Sequence, residues 1–410
     1  MASSYITPDI IAREALMILE NNLISPQVMS STATPEFTGA KVGDTISIRR
    51  PAFFVASEYN NDGSTGVVMQ DAKENSVQLK VEKYFDVSFE VTSKELTFEV
   101  DQFNARLLTP AMAAITQAID KYAFSKLSQL GGLPQNGATG TNLMDKYASP
   151  SSVNTFALIQ EMLNLQQVPV GGRQMVLSPA MQTAMYGIEN FISAQIRGIG
   201  NSPINDYQLG NFMGFDMSMS QNLSSHSVGA AQGDANAGAL TAGTDLKEGQ
   251  TKFTPAGASG TGAFAQGDTI AITYDDGKVR HHSVVSGSLG GEIEITPGIY
   301  GVDTATPSGG TGGTKCVDST NSVKIISGDA ENDSYTVGGA FHQDAFQLVF
   351  VPQPEPMGPG TSSATVSYNG MSLRVLQSYD HLRKKDMVSI DCLVGCKAVD
   401  PRLGVKVVSA

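Results

Sequence analysis

The stretch Val77–Leu130, VQLKVEKYFDVSFEVTSKELTFEVDQFNARLLTPAMAAITQAIDKYAFSKLSQL, decides the fold. In its first part Val77, Leu79, Val81, Phe85, Val87, Phe89 and Val91 are apolar, with Lys83 the break in the odd-numbered file. Gln78, Lys80, Glu82, Asp86, Ser88, Glu90 and Thr92 fill the other face. Successive side chains of a strand point to opposite faces, so the pattern predicts one long strand with a wet side. Ser93 can cap a helical turn at Lys94–Leu96. From Phe103 the apolar spacing becomes helical: Met112, Ile115, Ile119, Ala123, Leu127 and Leu130 form one stripe, and Gln117, Lys121 and Ser128 lie off it. Thr109-Pro110 falls inside this pattern, so either the helix restarts with Pro at its first position or one long helix kinks. Gly131-Gly132 ends it. Neither element carries a catalytic side chain, and the stretch reads as scaffold.

On the N-terminal side, Thr7 is the expected cap of a helix with Pro8 at its first position and Asp9 near its positive end. Ile11, Ala15, Ile18, Leu19 and Leu23 make its apolar stripe, Asp9, Arg13, Glu20 and Asn21 face elsewhere, and Ser25-Pro26 stops it. A strand follows, opened by Gly43-Asp44, carrying Ile46 and Ile48, and closed by Arg49-Arg50-Pro51. Pro51 to Ser76 reads as a protruding two-stranded loop around the turn Asn60–Ser64, its return limb running into the alternating strand. Isolated hairpins are marginal in water, so this one is expected to lie on another subunit.

On the C-terminal side, Gly131 to Pro150 is a Gly/Asn/Thr-rich connection. Ser151 or Ser152 starts a helix through Phe156, Ile159, Leu163 and Gln166. Gln174–Ser178 is a short buried strand, Ser178-Pro179 caps a helix over Ala180–Tyr186, and Phe212–Met219 is a strand with a break at Gly214. Quick alternation of strand and helix predicts an α/β or α+β domain.

Near Leu223 the composition shifts. His226–Ala340 holds 22 of the 42 glycines, and 13 Asp/Glu against 6 Lys/Arg, a net of −7 out of −13. Strands are expected at Thr269–Thr273, Val279–Val285, Glu292–Ile295, Val323–Ile326 and Tyr335–Val337, with Asp276-Gly277 turning a hairpin. This is an all-β unit, barrel or sandwich, inserted in a mixed domain; Ile270, Ile272, Ile293, Ile295, Val323 and Ile325 should fill its core. The mixed pattern resumes with Ala345–Val351, a proline-rich run Pro352–Pro356, and strands at Met371–Val375 and Met387–Val394.

With 410 residues, 41% of them hydrophobic and 16% charged, the chain has the composition of a soluble globular protein of two or three domains. The formal charge of −13 argues against tight binding of nucleic-acid phosphates over the whole surface. No segment reaches the roughly 18 to 20 apolar residues of a membrane span, and the first residues carry no signal-peptide pattern. Cys316, Cys392 and Cys396 do not make a disulfide framework, so synthesis in a reducing cytoplasm is expected. Adjacent His281 and His282 would point to opposite faces of a strand, which disfavours a metal site. Cys392 and Cys396 lack further zinc ligands and read as buried thiols. Gly309–Lys315 lacks the strand, helix and spacing of a phosphate loop and reads as a flexible loop. No nucleophile elbow is present, and Arg383-Lys384-Lys385 reads as a solvated face. No catalytic, cofactor-binding or metal-binding residue is assigned.

The order of elements resembles the major capsid (coat) proteins of tailed double-stranded DNA phages, and more narrowly the short-tailed phage coat proteins with an inserted β domain. The resemblance is carried by Gly43–Pro51 before the loop, Leu107-Leu108-Thr109-Pro110 in the central helix, Leu177-Ser178-Pro179, and Gly214-Phe215 leading to Ser220–Leu223. Gln266–Ile270 and Glu294–Pro297 carry it in the insert, and Gly370–Val375 through Asp400-Pro401 at the end. It implies an α+β tailed-phage capsid fold: an N-terminal arm (1–35), an extended loop region (36–84), a peripheral domain with its spine helix (85–135), an axial domain (136–225), an inserted barrel-like β domain (226–340), and a second axial part with strands returning to the peripheral domain (341–410). It implies self-assembly into hexamers and pentamers of an icosahedral head around double-stranded DNA, with no cofactor, and with a scaffolding protein and a portal protein at one vertex as partners. It also implies a virion protein, assembled in the host cytoplasm, with no specific nucleic-acid sequence and no membrane as partner. Expected assembly contacts are Asp9, Glu14 and Glu20, whose charges suit a basic partner, and Arg49 and Arg50, whose guanidinium forks suit carboxylates such as Glu58, Asp71 and Glu74. The alternative is a β-rich virion surface or receptor-binding protein; an enzyme is the third and least supported reading.

Overall fold

The computed structural model describes residues 8–32, 45–49, 76–92, 107–133, 152–189, 210–231, 240–257, 262–300, 315–327, 333–356, 361–380, 382 and 385–409. Its helices are α1 (Pro8–Asn22), α2 (Ser25–Val28), α3 (Thr109–Ser125), α4 (Val153–Leu165) and α5 (Pro179–Met185). The strands begin with β1 (Thr45–Arg49), β2 (Ser76–Lys80), β3 (Lys83–Thr92), β4 (Arg173–Leu177), β5 (Asn211–Phe212), β6 (Phe215–Met219) and β7 (Ser225–Ser227). They continue with β8 (Leu246–Lys247), β9 (Lys252–Phe253), β10 (Thr269–Thr273), β11 (Val279–Ser286), β12 (Ile293–Thr296), β13 (Lys315–Val317) and β14 (Val323–Ile325). The last are β15 (Ser334–His342), β16 (Phe346–Val351), β17 (Thr361–Tyr368), β18 (Met371–Asp380), β19 (Lys385–Ala398) and β20 (Gly404–Ser409). The chain forms two compact units: Met1–Leu16 with Ser31–Asp101 and Gln347–Val399, and Met17–Ser30 with Gln102–Phe346 and Asp400–Ala410.

In the first unit, β19 runs between β3 and β18, β17 lies beyond β18, and β16 also joins β19. The alternation read from the sequence is present: Phe85, Val87 and Phe89 are half-buried while Asp86, Ser88 and Glu90 are exposed. The single long strand is not. It is two strands in two sheets, because the chain leaves the ladder at Val81-Glu82; β2 pairs antiparallel with β1 and β3 with β19. The break falls where Lys80 and Val81 press on Gly395, whose added Cβ would stand 3.1 Å from the Lys80 carbonyl oxygen. Leu79 packs with Val349, beside Ile48, Val81 and Val351. β17 was missed in the sequence, although Asn369-Gly370, both at positive φ, make the two-residue turn that joins it to β18.

In the second unit, α3 begins at Thr109 with Pro110 in its first turn, and Leu107-Leu108 before it are already π-helical and continuous with it. Met112, Ile115, Ile119, Ala123, Leu127 and Leu130 are each at most 2% exposed. Leaving water stabilises each of the large ones by about 1.5–3 kcal/mol. Asp120, on the same helix, is buried and accepts from the backbone N–H of Ser25 at 3.1 Å, at the start of α2. Ser25-Pro26 therefore ends α1 and opens a further helical turn. Ser152 caps α4 through Thr155 N–H and Ser178 caps α5 through Met181 N–H, as expected. The six-stranded sheet of this unit has the order β20-β15-β4-β6-β5, with β7 also on β15. β4 and β6 are parallel around α5, while Met213-Gly214, both at positive φ, make β5 and β6 a hairpin and not one broken strand. Gly404 sits where a Cβ would be 2.6 Å from Leu130 Cδ2, so the end of the α3 segment packs directly on sheet backbone.

The all-β stretch contains a sheet of order β14-β10-β11-β12-β9 and a separate β8–β13 pair. β10 and β11 turn at Asp276-Gly277, with Gly277 at φ 76°. Ile270, Ile272, Ile293, Ile295 and Val323 are buried together, and Ile325 packs against them. Two readings need correction. Tyr335–Val337 lies in β15, which pairs with β4 and β20 in the six-stranded sheet and not with the all-β strands. Lys315 opens β13 and is not loop; residues 309–314 lie outside the described residues.

Candidate functional site

Of the expected contact residues, Asp9, Glu14 and Glu20 all fall on α1. At about 100° per residue, Asp9 and Glu20 share a face and Glu14 lies well round from both. Asp9 pairs with Arg13 at 3.1 Å, one turn on. Arg49 ends β1, directly across from Ser76 on β2, so the excursion over residues 50–75 leaves and returns at one two-stranded base. Arg50 and its expected partners Glu58, Asp71 and Glu74 lie outside the described residues, as do Thr7, Ser93, Arg383 and Lys384.

The exposed face of the β3–β19–β18 sheet carries cross-strand polar contacts. Ser88 Oγ donates to Asp86 and meets Ser389 Oγ at 2.9 Å, and Lys385 pairs with Glu90. At one end Arg374 grips Asp391 with two bonds, Nε to Oδ1 at 3.1 Å and Nη2 to Oδ2 at 2.6 Å, while Tyr84 donates its hydroxyl proton to the same carboxylate. Asp391 is 1% exposed, so these three side chains hold β3, β19 and β18 together through a charge that water barely reaches. The strand parity puts Tyr84 and Met387 on this face as exposed apolar points. Sequence alternation exposed the face, but not the Arg374–Asp391 bridge, whose members sit on separate strands.

His281, His282, Cys316 and Cys392 are held within the packing. His282 is fully buried, with Nε2 at 3.0 Å from Tyr274 Oη and Nδ1 at 2.8 Å from the Pro297 carbonyl oxygen. His281 accepts from Leu133 N–H at 3.3 Å. Burial pushes both imidazoles down to about 4, so neither is charged at neutral pH. Burial likewise pushes the Cys316 thiol up to about 11 and the Cys392 thiol higher still, away from a reactive thiolate. Among the described residues no group of three or more His, Cys, Asp or Glu could hold a metal ion, and no helix is long and apolar enough to cross a membrane.

A second polar cluster was not visible in the sequence. Lys406, in the middle of the fully buried β20, reaches the all-β sheet and places Nζ 2.7 Å from the Gly267 carbonyl oxygen, 2.8 Å from Thr269 Oγ1 and 3.2 Å from Ser283 Oγ. Beside it His226 Nε2 lies 2.9 Å from Asp268 Oδ1.

No family model matches the chain, and no curated protein matches it in sequence. Solved structures do match. The structure described as Mycobacterium phage Che8 is 12% identical, covers 94% of this chain and 90% of its own, and has a TM-score of 0.48. The capsid of Ralstonia phage GP4 is 9% identical over 93% of this chain and 86% of its own, TM-score 0.47. The capsid of an empty GTA particle is 8% identical over 100% and 94%, TM-score 0.45. The chain is similar in structure to phage capsids.

Proposed function

We propose that the chain is the major subunit of a phage head, assembling as hexamers and pentamers into an icosahedral shell around double-stranded DNA. The observation that carries this reading is the coincidence of sequence motifs with element order. Thr45–Arg49, the described part of the motif Gly43–Pro51, forms β1 and pairs with β2, and Leu107–Pro110 falls on the start of α3. Leu177–Pro179 falls on the β4–α5 junction and Gly370–Val375 on β18. The arrangement is one of broad sheets and a long packed helix, with His281 and His282 held neutral and the Cys316 and Cys392 thiols pushed away from a reactive thiolate, which suits a wall and not a catalyst. The net charge of −13 suits an inner surface that must not grip packaged DNA.

On this reading α1, with Asp9, Glu14 and Glu20, meets a scaffolding protein or a neighbouring subunit, and Arg49 and Arg50 hold the loop base. The all-β sheet between β7 and β15 stands as an inserted domain on the outer surface. A portal protein occupies one vertex, and the product is a virion component assembled in the host cytoplasm. Electron microscopy of the purified chain, alone and with its scaffolding protein, tests the reading. Closed shells or capsomer sheets are expected. A chain that stays monomeric under both conditions overturns it, and binding of that monomer to host cells would favour a receptor-binding protein. Reversing Asp9 and Glu20 to Lys should block shells while the circular dichroism of the monomer is unchanged; normal shells would remove α1 from the contact.

A further inference from the structure

Lys406 is an ionisable group placed where ionisation is expensive. It is 1% exposed, in a strand whose every residue is buried, and its amine leaves the six-stranded sheet to meet only oxygens of the all-β region. Ser283 Oγ donates its own proton to the Ser128 carbonyl oxygen at 2.8 Å, so toward Lys406 it can only accept. The Gly267 carbonyl oxygen also only accepts. The Thr269 hydroxyl can do either. A neutral amine, with two N–H donors and one lone pair, therefore satisfies all three partners, and an ammonium satisfies them by reversing the Thr269 bond alone. What the ammonium lacks is a counter-charge in contact with it: Asp268 acts on it from beyond ion-pair distance and only partly offsets the cost of burial. Among the described residues no carboxylate lies within ion-pair distance of it. The nearby Asp268 has Oδ1 on His226 and Oδ2 accepting from the N–H groups of Ala265 at 2.8 Å and Gly229 at 3.3 Å. The remaining titratable neighbour is His281 on β11, which interacts with Lys406 and stays neutral.

We propose that Lys406 is a proton-operated clasp that fastens β20 to the five-stranded all-β sheet and holds more tightly when its amine is uncharged. The proposal does not rest on the capsid reading. The sign follows from burial, which brings the docked amine down to about 7, whereas in an opened state it returns to the ordinary lysine value of about 10.4. Opening then takes up a proton between these two values. The opening equilibrium constant should rise about tenfold for each unit of falling pH inside that window, and level off below it. His281 and His282, held near 4, add a separate rise only below about 6.5 if opening exposes them.

Amide hydrogen exchange of the full chain, followed over residues 267–284 and 404–409 and corrected for intrinsic exchange, measures the opening constant. Between pH 9 and 7 the natural protein should show the tenfold-per-unit rise, and Lys406→Met, its fold checked by circular dichroism, should lose it. No rise in the natural protein, or the same rise in Lys406→Met, overturns the clasp. Should Lys406→Met not fold, Ser283→Ala keeps the amine but removes one obligatory acceptor. Opening should then become several-fold easier at every pH with the slope retained, and unchanged opening would overturn the proposal.

Discussion

The β3–β19–β18–β17 sheet keeps one face wet, whereas the central strands of the β20–β15–β4–β6 sheet are covered on both sides. Polar side chains follow suit. On the first sheet Ser88, Asp86 and Ser389 bond one another at the surface, with Arg374 and Asp391 at one end. On the second the polar residues are sunk and held from elsewhere: Arg173, 2% exposed, donates to the Pro169 and Val168 carbonyl oxygens, and Lys406 to another sheet altogether. A half-wet sheet writes its faces into alternating residues; a covered sheet gives unbroken buried runs such as Gly404–Ser409 that carry no such alternation.

The largest expected effect breaks the wet sheet at the buried Asp391. Arg374→Met leaves the Asp391 carboxylate uncompensated and should cost about 3–5 kcal/mol, read as a shift of the urea midpoint of the first unit. Gly404→Ala attacks the covered sheet by overpacking. The added methyl meets Leu130 at 2.6 Å and Phe341 Cβ at 2.8 Å, and should cost up to about 3 kcal/mol. One substitution made in both sheets sharpens the contrast most directly. Val405→Thr buries a hydroxyl at a position 0% exposed and should cost about 2 kcal/mol. Val87→Thr, at a half-buried strand position, should stay within about 0.5 kcal/mol. Equal losses from the last two would mean that the apolar face of β3, which carries Val87, is as fully covered in solution as the core of the second sheet.

Much of this was legible locally. The α3 stripe, the Ser152 and Ser178 caps, the Asp276-Gly277 turn and the isoleucines of the all-β core each depend on residues a few positions apart, and each was read from spacing. Asn369-Gly370 is an equally local signal, a two-residue turn that marks β17 and β18 as a hairpin. The Arg374–Asp391 bridge and the oxygens around Lys406 had no local signal, because their members lie on separate strands or in separate sheets.

The sequence by itself determined which residues of each element face inward, since strand and helix periods are properties of the local backbone. It also determined where α4 and α5 start, through Ser152 and Ser178, and where β10 turns into β11, through Asp276-Gly277. Only the tertiary structure decided that Val77–Thr92 is divided between two sheets, since β2 pairs with β1 while β3 pairs with β19, about three hundred residues further along the chain. It alone assigned β15 to β4 and β20, because a strand's edge accepts any partner that brings matching N–H and C=O groups. And it alone made Lys406 a core residue. A lysine in a valine run reads as an exposed position until Gly267, Thr269 and Ser283 arrive from another sheet to replace the water its amine has lost.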